Sequence, residues 1–181
     1  MTRHERALAA RGWMTVAELQ WLEEIARDKS LVIELGSWCG RSSIALSSAK
    51  KLICVDNWIG SKNNAEGTPE TCILSEFTAN LEEEIAAGTV ETATGCLSNE
   101  GFIESSLIER FAGEADVVFI DACHEEAEVS RDIETALALL KEGGIICGHD
   151  YSSAWPGVVA AVTKRFGNVG RAAESIWWVQ Q

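Results

Sequence analysis

The feature that most constrains this chain is the stretch from Val32 to Ser43. An apolar run, Val32-Ile33-Glu34-Leu35, breaks at Gly36 and resumes as a helix start, Arg41-Ser42-Ser43, after Gly40. A buried strand that turns through glycine into a helix is the opening unit of a parallel α/β layer. The turn leaves backbone N–H groups at its mouth, aimed at whatever binds there. The junction is therefore expected to cradle a nucleotide-like cofactor, and a side chain added at Gly36 is expected to fill space reserved for that ligand. Its spacing, Glu-x-Gly-x-x-x-Gly, differs from the Gly-x-Gly-x-x-Gly dinucleotide fingerprint, and it lacks the Lys-Ser/Thr of a phosphate loop.

The rest of the chain repeats the strand and helix alternation of a parallel sheet covered on both faces. Short apolar or β-branched runs at 31–35, 51–55, 89–94, 116–121 and 143–148 read as strands. Val129, Ile133, Ala136, Leu137 and Leu140 recur at helical intervals, while Glu125, Glu126, Glu128, Arg131 and Glu134 take the solvated face. Thr15-Val16-Ala17-Glu18 is a capping box, opening a helix that runs to about Asp28 and closes an N-terminal helical segment, residues 1–28. After Asp150 come a helix near 157–166 and two short strands, 169–173 and 176–180, that form a hairpin. The whole chain, 1–181, reads as one domain. Trp177 and Trp178 point to opposite faces of one strand, so one of them is expected to be exposed or to lie at a subunit contact, which makes a homodimer an expectation.

Composition narrows the partners. With 181 residues, 46% of them hydrophobic, the chain can bury a sizeable core unaided. A net charge of -13 with no basic run argues against nucleic acid and anionic membrane. No signal-peptide pattern and no long apolar span is present, so a cytoplasmic location is expected. The six cysteines occur singly, without a Cys-x-x-Cys pair, and read as reduced, mostly buried side chains; a metal cluster of Cys123, His124 and His149 is the minor alternative.

Ligands of open α/β sheets sit at the carboxyl ends of the strands, where Glu34, Gly36, Asp56, Asp121, His149 and Asp150 all fall. Asp56 stands where a carboxylate accepts the two hydroxyls of a ribose. The turn-rich segment 57–72 reads as a loop, either a lid or a plain connection.

Three ordered motifs carry a resemblance: Glu34-Leu35-Gly36-Ser37 through Gly40-Arg41-Ser42-Ser43, then Ile120-Asp121-Ala122-Cys123-His124, then Gly143-Gly144-Ile145-Ile146-Cys147-Gly148-His149-Asp150-Tyr151. Together they resemble class I S-adenosylmethionine (SAM)-dependent methyltransferases, in the small-molecule O-methyltransferase branch related to macrolide and sugar O-methyltransferases, over roughly residues 30–165. The resemblance implies a Rossmann-like α/β fold with a mostly parallel sheet of about seven strands and a C-terminal antiparallel hairpin. It implies SAM at Glu34, Gly36, Ser37, Gly40, Asp56 and Asp121, with Ser98 facing the adenine, and a small-molecule acceptor beside Trp155.

Methyl transfer to oxygen needs collinear approach and a base, for which Asp121, His124 and His149 are the candidates. Asp121 and Asp150 are the candidate ligands of a Mg²⁺ ion, although His149 and Cys123 stand where relatives carry acids. Two other readings stay open at this point: an NAD-dependent oxidoreductase, which would also use Gly36 and Asp56, and a non-catalytic SAM-binding protein.

Overall fold

The computed structural model describes residues 2–59, 73–95 and 102–181. Ser98, Cys72, Cys96 and all but the first three residues of the 57–72 segment lie outside the described residues.

Seven strands form one sheet: β1 (Val32–Leu35), β2 (Leu52–Asp56), β3 (Val90–Thr94), β4 (Ala115–Ile120), β5 (Leu140–Gly148), β6 (Gly170–Ala172) and β7 (Ile176–Gln180). Their order is β3-β2-β1-β4-β5-β7-β6. The first five are parallel, while β7 runs antiparallel between β5 and β6. The strand order reverses between β1 and β4, the position at which open sheets of this kind bind ligands.

The helices are α1 (Arg3–Ala7), α2 (Val16–Ala26), α3 (Arg41–Leu46), α4 (Ile73–Asn80), α5 (Glu82–Ala86), α6 (Phe102–Phe111), α7 (Glu126–Leu139) and α8 (Pro156–Phe166). Strand residues alternate between two buried clusters. Val32 of β1 and Val117 and Phe119 of β4 pack beneath α2 and α3, whereas Ile33, Leu35 and Val118 pack beneath α7 and α8. Every residue of β1 is buried, as in a strand covered on both faces.

Three details depart from the sequence reading. Helix α1 was not anticipated, although Thr2 and Glu5 form a capping box of the same kind as Thr15 and Glu18. Strand β5 begins at Leu140, directly after α7, because Leu140 pairs with Ala115 and regular pairing resumes only at Ile145 opposite Val117; the intervening residues bulge through Gly143 at φ 76°. Trp177 and Trp178 do face opposite sides of β7, but neither is left bare. Trp177 is buried against the α7–α8 cluster and Trp178 is half-buried against the other, because both faces of the sheet are covered. The pair therefore gives no reason to expect a subunit contact. Cys39, Cys54 and Cys147 are buried free thiols, as expected, and Cys123 is half-buried. Among the described residues no helix is long and apolar enough to cross a membrane.

Candidate active site at the carboxyl ends of β1, β2, β4 and β5

The glycine loop after β1 is held from three directions. Gly36 has φ 92°, a conformation costly for any residue with a Cβ. A Cβ there would lie 2.2 Å from the backbone oxygen of Asp121 and 2.7 Å from Cα of Ala122. Gly36 is thus required by close approach of the β1 and β4 loops, rather than by the ligand space the sequence pointed to. Gly40, at φ 90°, caps α3, and a Cβ on it would meet Leu81 at 2.7 Å and Phe77 at 3.1 Å, again protein and not cleft.

Asp56 ends β2 and braces the same loop. Its Oδ2 accepts from the backbone N–H groups of Ser37 (3.0 Å) and Trp38 (2.8 Å), and its Oδ1 accepts from Trp58 (2.8 Å). The Trp58 ring packs against Phe77 with centroids 4.9 Å apart, and its indole N–H is buried with no hydrogen-bond partner among the described residues. Glu34 sits beneath the loop, fully buried. Its carboxyl accepts from Ser37 Oγ at 2.6 Å, Ser42 Oγ at 2.5 Å and Ser43 Oγ, which ties β1 to the first turn of α3. Burial pushes its pKa up, against the pull of the three hydroxyls. The carboxyl thus shapes the loop from beneath.

The ends of β4 and β5 bring Asp121, His124, His149 and Asp150 around one small cleft. His124 Nε2 lies 2.7 Å from Asp150 Oδ2, and its ring stacks on Trp155 with centroids 3.9 Å apart. His149 Nδ1 lies 3.2 Å from Asp150 Oδ1 and 3.7 Å from Asp121 Oδ1. Its Nε2 lies 3.1 Å from Oε1 of Glu18, on α2. Burial would raise Asp150, but hydrogen bonds from both histidines hold it well below the usual carboxylate range. Burial raises Asp121, and the neighbouring Asp150 adds to the rise while His149 opposes it. Trp38, Trp58 and Asp150 all have positive φ, at 43°, 58° and 62°. Such strain at three strand ends of one mouth is characteristic of functional loops.

Not every expectation for this cluster fits. His149 has a carboxylate at each ring nitrogen and no lone pair left for a substrate proton, so it does not suit the role of general base. Cys123 turns aside and donates its S–H to Glu128. Among the described residues the group able to hold a metal is instead Asp121, His124 and Asp150, whose ligand atoms lie within 4.8 Å of one another. It contains both carboxylates expected from the sequence, plus an imidazole.

The N-terminal segment closes over the loop. Arg41, the first residue of α3, donates to the backbone carbonyls of Gly12 and Leu8. Arg11 pairs with Glu76 at 2.7 Å and lies 4.5 Å over the Trp38 ring, and Trp13 stacks on Trp38 at 4.7 Å. None of Arg11, Trp13 and Trp38 stood out in the sequence, where nothing signals contact across such separations.

The Glu18–His149 pair makes stability depend on pH. Burial alone would raise Glu18, but hydrogen bonds from His149 and the Thr15 backbone, with the imidazolium charge, bring it from 4.5 to about 2. Burial alone would lower His149, yet hydrogen bonds to Asp150 and Glu18 and the nearby carboxylate charges push it from 6.5 to about 11. The His149 contribution is therefore complete below pH 6.5 and lost as pH rises toward 11. The Glu18 contribution is complete above pH 4.5 and lost as pH falls toward 2. In metal-free buffer the Tm of the wild type is expected to decline between about pH 7 and 10, and that of His149→Gln to decline less. Parallel Tm curves would show that the pair carries no such linkage.

The fold is shared with known proteins. A family model described as a methyltransferase domain matches residues 33–151. No curated protein sequence matches the chain. Among solved structures, the O-methyltransferase from Bacillus cereus in complex with S-adenosylhomocysteine (SAH) is 16% identical, with TM-score 0.65 over 99% of this chain and 90% of that one. The O-methyltransferase TomG from Streptomyces achromogenes, involved in tomaymycin synthesis and solved with SAM, is 16% identical, with TM-score 0.63 over 92% and 80%. The TDP-rhamnose 3'-O-methyltransferase CalS11 of calicheamicin biosynthesis, an apo structure, is 12% identical, with TM-score 0.63 over 90% and 76%. At these identities the likeness is one of fold.

Proposed function

Because the chain belongs to the methyltransferase domain family, we propose that it transfers the methyl group of SAM to a hydroxyl of a small molecule at the mouth between β1 and β4. The observation that carries this reading is the convergence of the braced glycine loop with Asp121, His124 and Asp150 at the switch point of the sheet. Family membership sets aside the NAD-dependent oxidoreductase reading. The cofactor lies along the Gly36–Gly40 loop and past Ser37, with its ribose at Asp56 and its sulfonium toward Asp121. Glu34 acts from below, holding the loop in shape through Ser37, Ser42 and Ser43.

The acceptor hydroxyl must lose a proton as the methyl arrives. His124 takes it: Asp150 accepts from Nε2, which fixes the tautomer and leaves Nδ1 as the base, in the way a carboxylate orients a catalytic imidazole. Trp155, stacked on His124, forms one wall of the acceptor space. The carboxylates of the cleft disfavour acceptors that carry phosphate.

A second reading is favoured by the proximity of Asp121, His124 and Asp150. Two carboxylates and one imidazole would hold a divalent cation, and a bound cation would lower the pKa of an acceptor hydroxyl. Magnesium prefers an all-oxygen set, so the imidazole suits Mn²⁺ or Zn²⁺ better.

Isothermal titration with SAM, SAH and NAD, followed by radiolabelled methyl transfer to a panel of phenols, catechols and sugars, tests the proposal. SAM and SAH are expected to bind in the micromolar range and NAD not to bind. Binding of NAD alone would overturn the reading, and binding of SAM without turnover of any acceptor would favour a non-catalytic SAM-binding protein. Asp56→Ala is expected to weaken SAH by about tenfold or more, since a charged acceptor of hydrogen bonds is worth about 1.5–3 kcal/mol. Unchanged affinity would remove Asp56 from the cofactor site.

A further inference from the structure

Glu18 is a capping-box residue, and a capping box needs one carboxylate oxygen. Oε2 does that work, accepting from the Thr15 backbone N–H at 3.0 Å and from Thr15 Oγ1 at 3.1 Å. The second oxygen of such a residue ordinarily faces water. Here it does not, because Glu18 is 2% exposed. Oε1 accepts from His149 Nε2 at 3.1 Å, from the Ser175 backbone N–H at 3.0 Å and from Ser175 Oγ at 2.8 Å. A buried carboxylate is costly unless its lone pairs are taken, and this one has donors on both oxygens from three separate parts of the chain.

We propose that Glu18 is a positioning residue for the methyl-transfer cluster, fixing the ring of His149 and, through Asp150, the ring of His124; this rests on the reading of that cluster given above. An ionised carboxylate can only accept, so Nε2 of His149 must carry its hydrogen toward Glu18, which turns Nδ1 to Asp150 and Asp121. Asp150 is then held at Oδ1 by His149, and its Oδ2 is presented to His124 at 2.7 Å. The relay runs Glu18, His149, Asp150, His124, and its first member belongs to α2. Docking of α2 and assembly of the reacting groups are thereby one event. The β6–β7 turn joins them through Ser175.

The chain has three histidines, His4, His124 and His149, so imidazole ¹⁵N and ¹H signals can be followed one by one. The experiment uses the ¹⁵N-histidine-labelled 181-residue chain, metal-free and saturated with SAH, as wild type, Glu18→Gln and Thr15→Ala. Glutamine keeps the shape but must set an amide N–H against one of the donors. Glu18→Gln is expected to shift the ring signals of both His149 and His124, leave those of His4 in place and leave SAH affinity unchanged. With an acceptor from the panel above, kcat should fall about tenfold or more, as for a small misplacement of reacting groups, with KM for SAM unchanged. Thr15→Ala removes the hydroxyl of the cap but not the relay, so it should lower Tm without moving either signal.

Movement of His149 alone, movement of neither ring, or equal movement in Thr15→Ala overturns the proposal. Should Glu18→Gln not fold, the wild type decides: an Overhauser contact between the His149 Nε2 proton and the Ser175 amide proton is expected, and its absence overturns the proposal. Loss of SAH binding by the wild type would instead defeat the functional reading.

Discussion

Gly36→Val is expected to unfold the protein or leave it barely folded, with a loss at the upper end of single-substitution effects, about 4 kcal/mol or more against the 5–15 kcal/mol that holds a typical domain. Two costs combine. A β-branched residue at φ 92° is strained, and its Cβ would lie 2.2 Å from the Asp121 carbonyl oxygen, an atom of a central strand end that cannot move aside like a flexible side chain. Denaturant titration measures the loss directly. A variant that kept wild-type stability and lost only SAM affinity would restore the simpler idea that Gly36 is reserved for the ligand. Gly36→Ala meets the same Cβ contact without the branching and should lie between the two.

His124→Ala is expected to lower methyl transfer by about 10²–10⁴-fold, the usual cost of removing a general base, with SAH affinity retained. His149→Gln should be milder in rate, since His149 orients and balances charge while both its nitrogens face carboxylates. EDTA separates the two readings of the cluster. If His124 is the base, chelation leaves turnover near its original value and Asp150→Asn slows it by loosening the His124 ring. If Asp121, His124 and Asp150 hold a cation, chelation abolishes turnover and an added divalent metal restores it. Equal rates for His124→Ala and wild type, with and without EDTA, would contradict both.

The parallel strands were legible because a strand buried on both faces must be nearly all apolar, and β1, β2 and β4 are. The place of β7 between β5 and β6 was not legible, since periodicity carries no strand order. The positions of Asp56, Asp121 and Asp150 followed from strand ends alone. Their partners did not. His149 and Glu18 are separated by 131 residues, and no local pattern reports a contact made through the fold. Glu34 shows the same limit at short range: Ser37, Ser42 and Ser43, three, eight and nine residues on, all donate to its carboxyl, contacts that the motif spacing does not report. The bulge at Gly143 likewise hid the start of β5, because Lys141 and Glu142 break the apolar run.

The most direct measurement is a crystal structure with bound SAM and the distance from its sulfonium methyl to the side chains at the ends of β4 and β5. Collinear attack places the methyl about 3–3.5 Å from the acceptor oxygen, so a methyl within roughly 6 Å of Asp121 and His124, with the ribose on Asp56, is expected. A methyl well over about 10 Å from Asp121, His124 and His149 alike is too far for any of them to touch the reacting hydroxyl and would contradict the assignment.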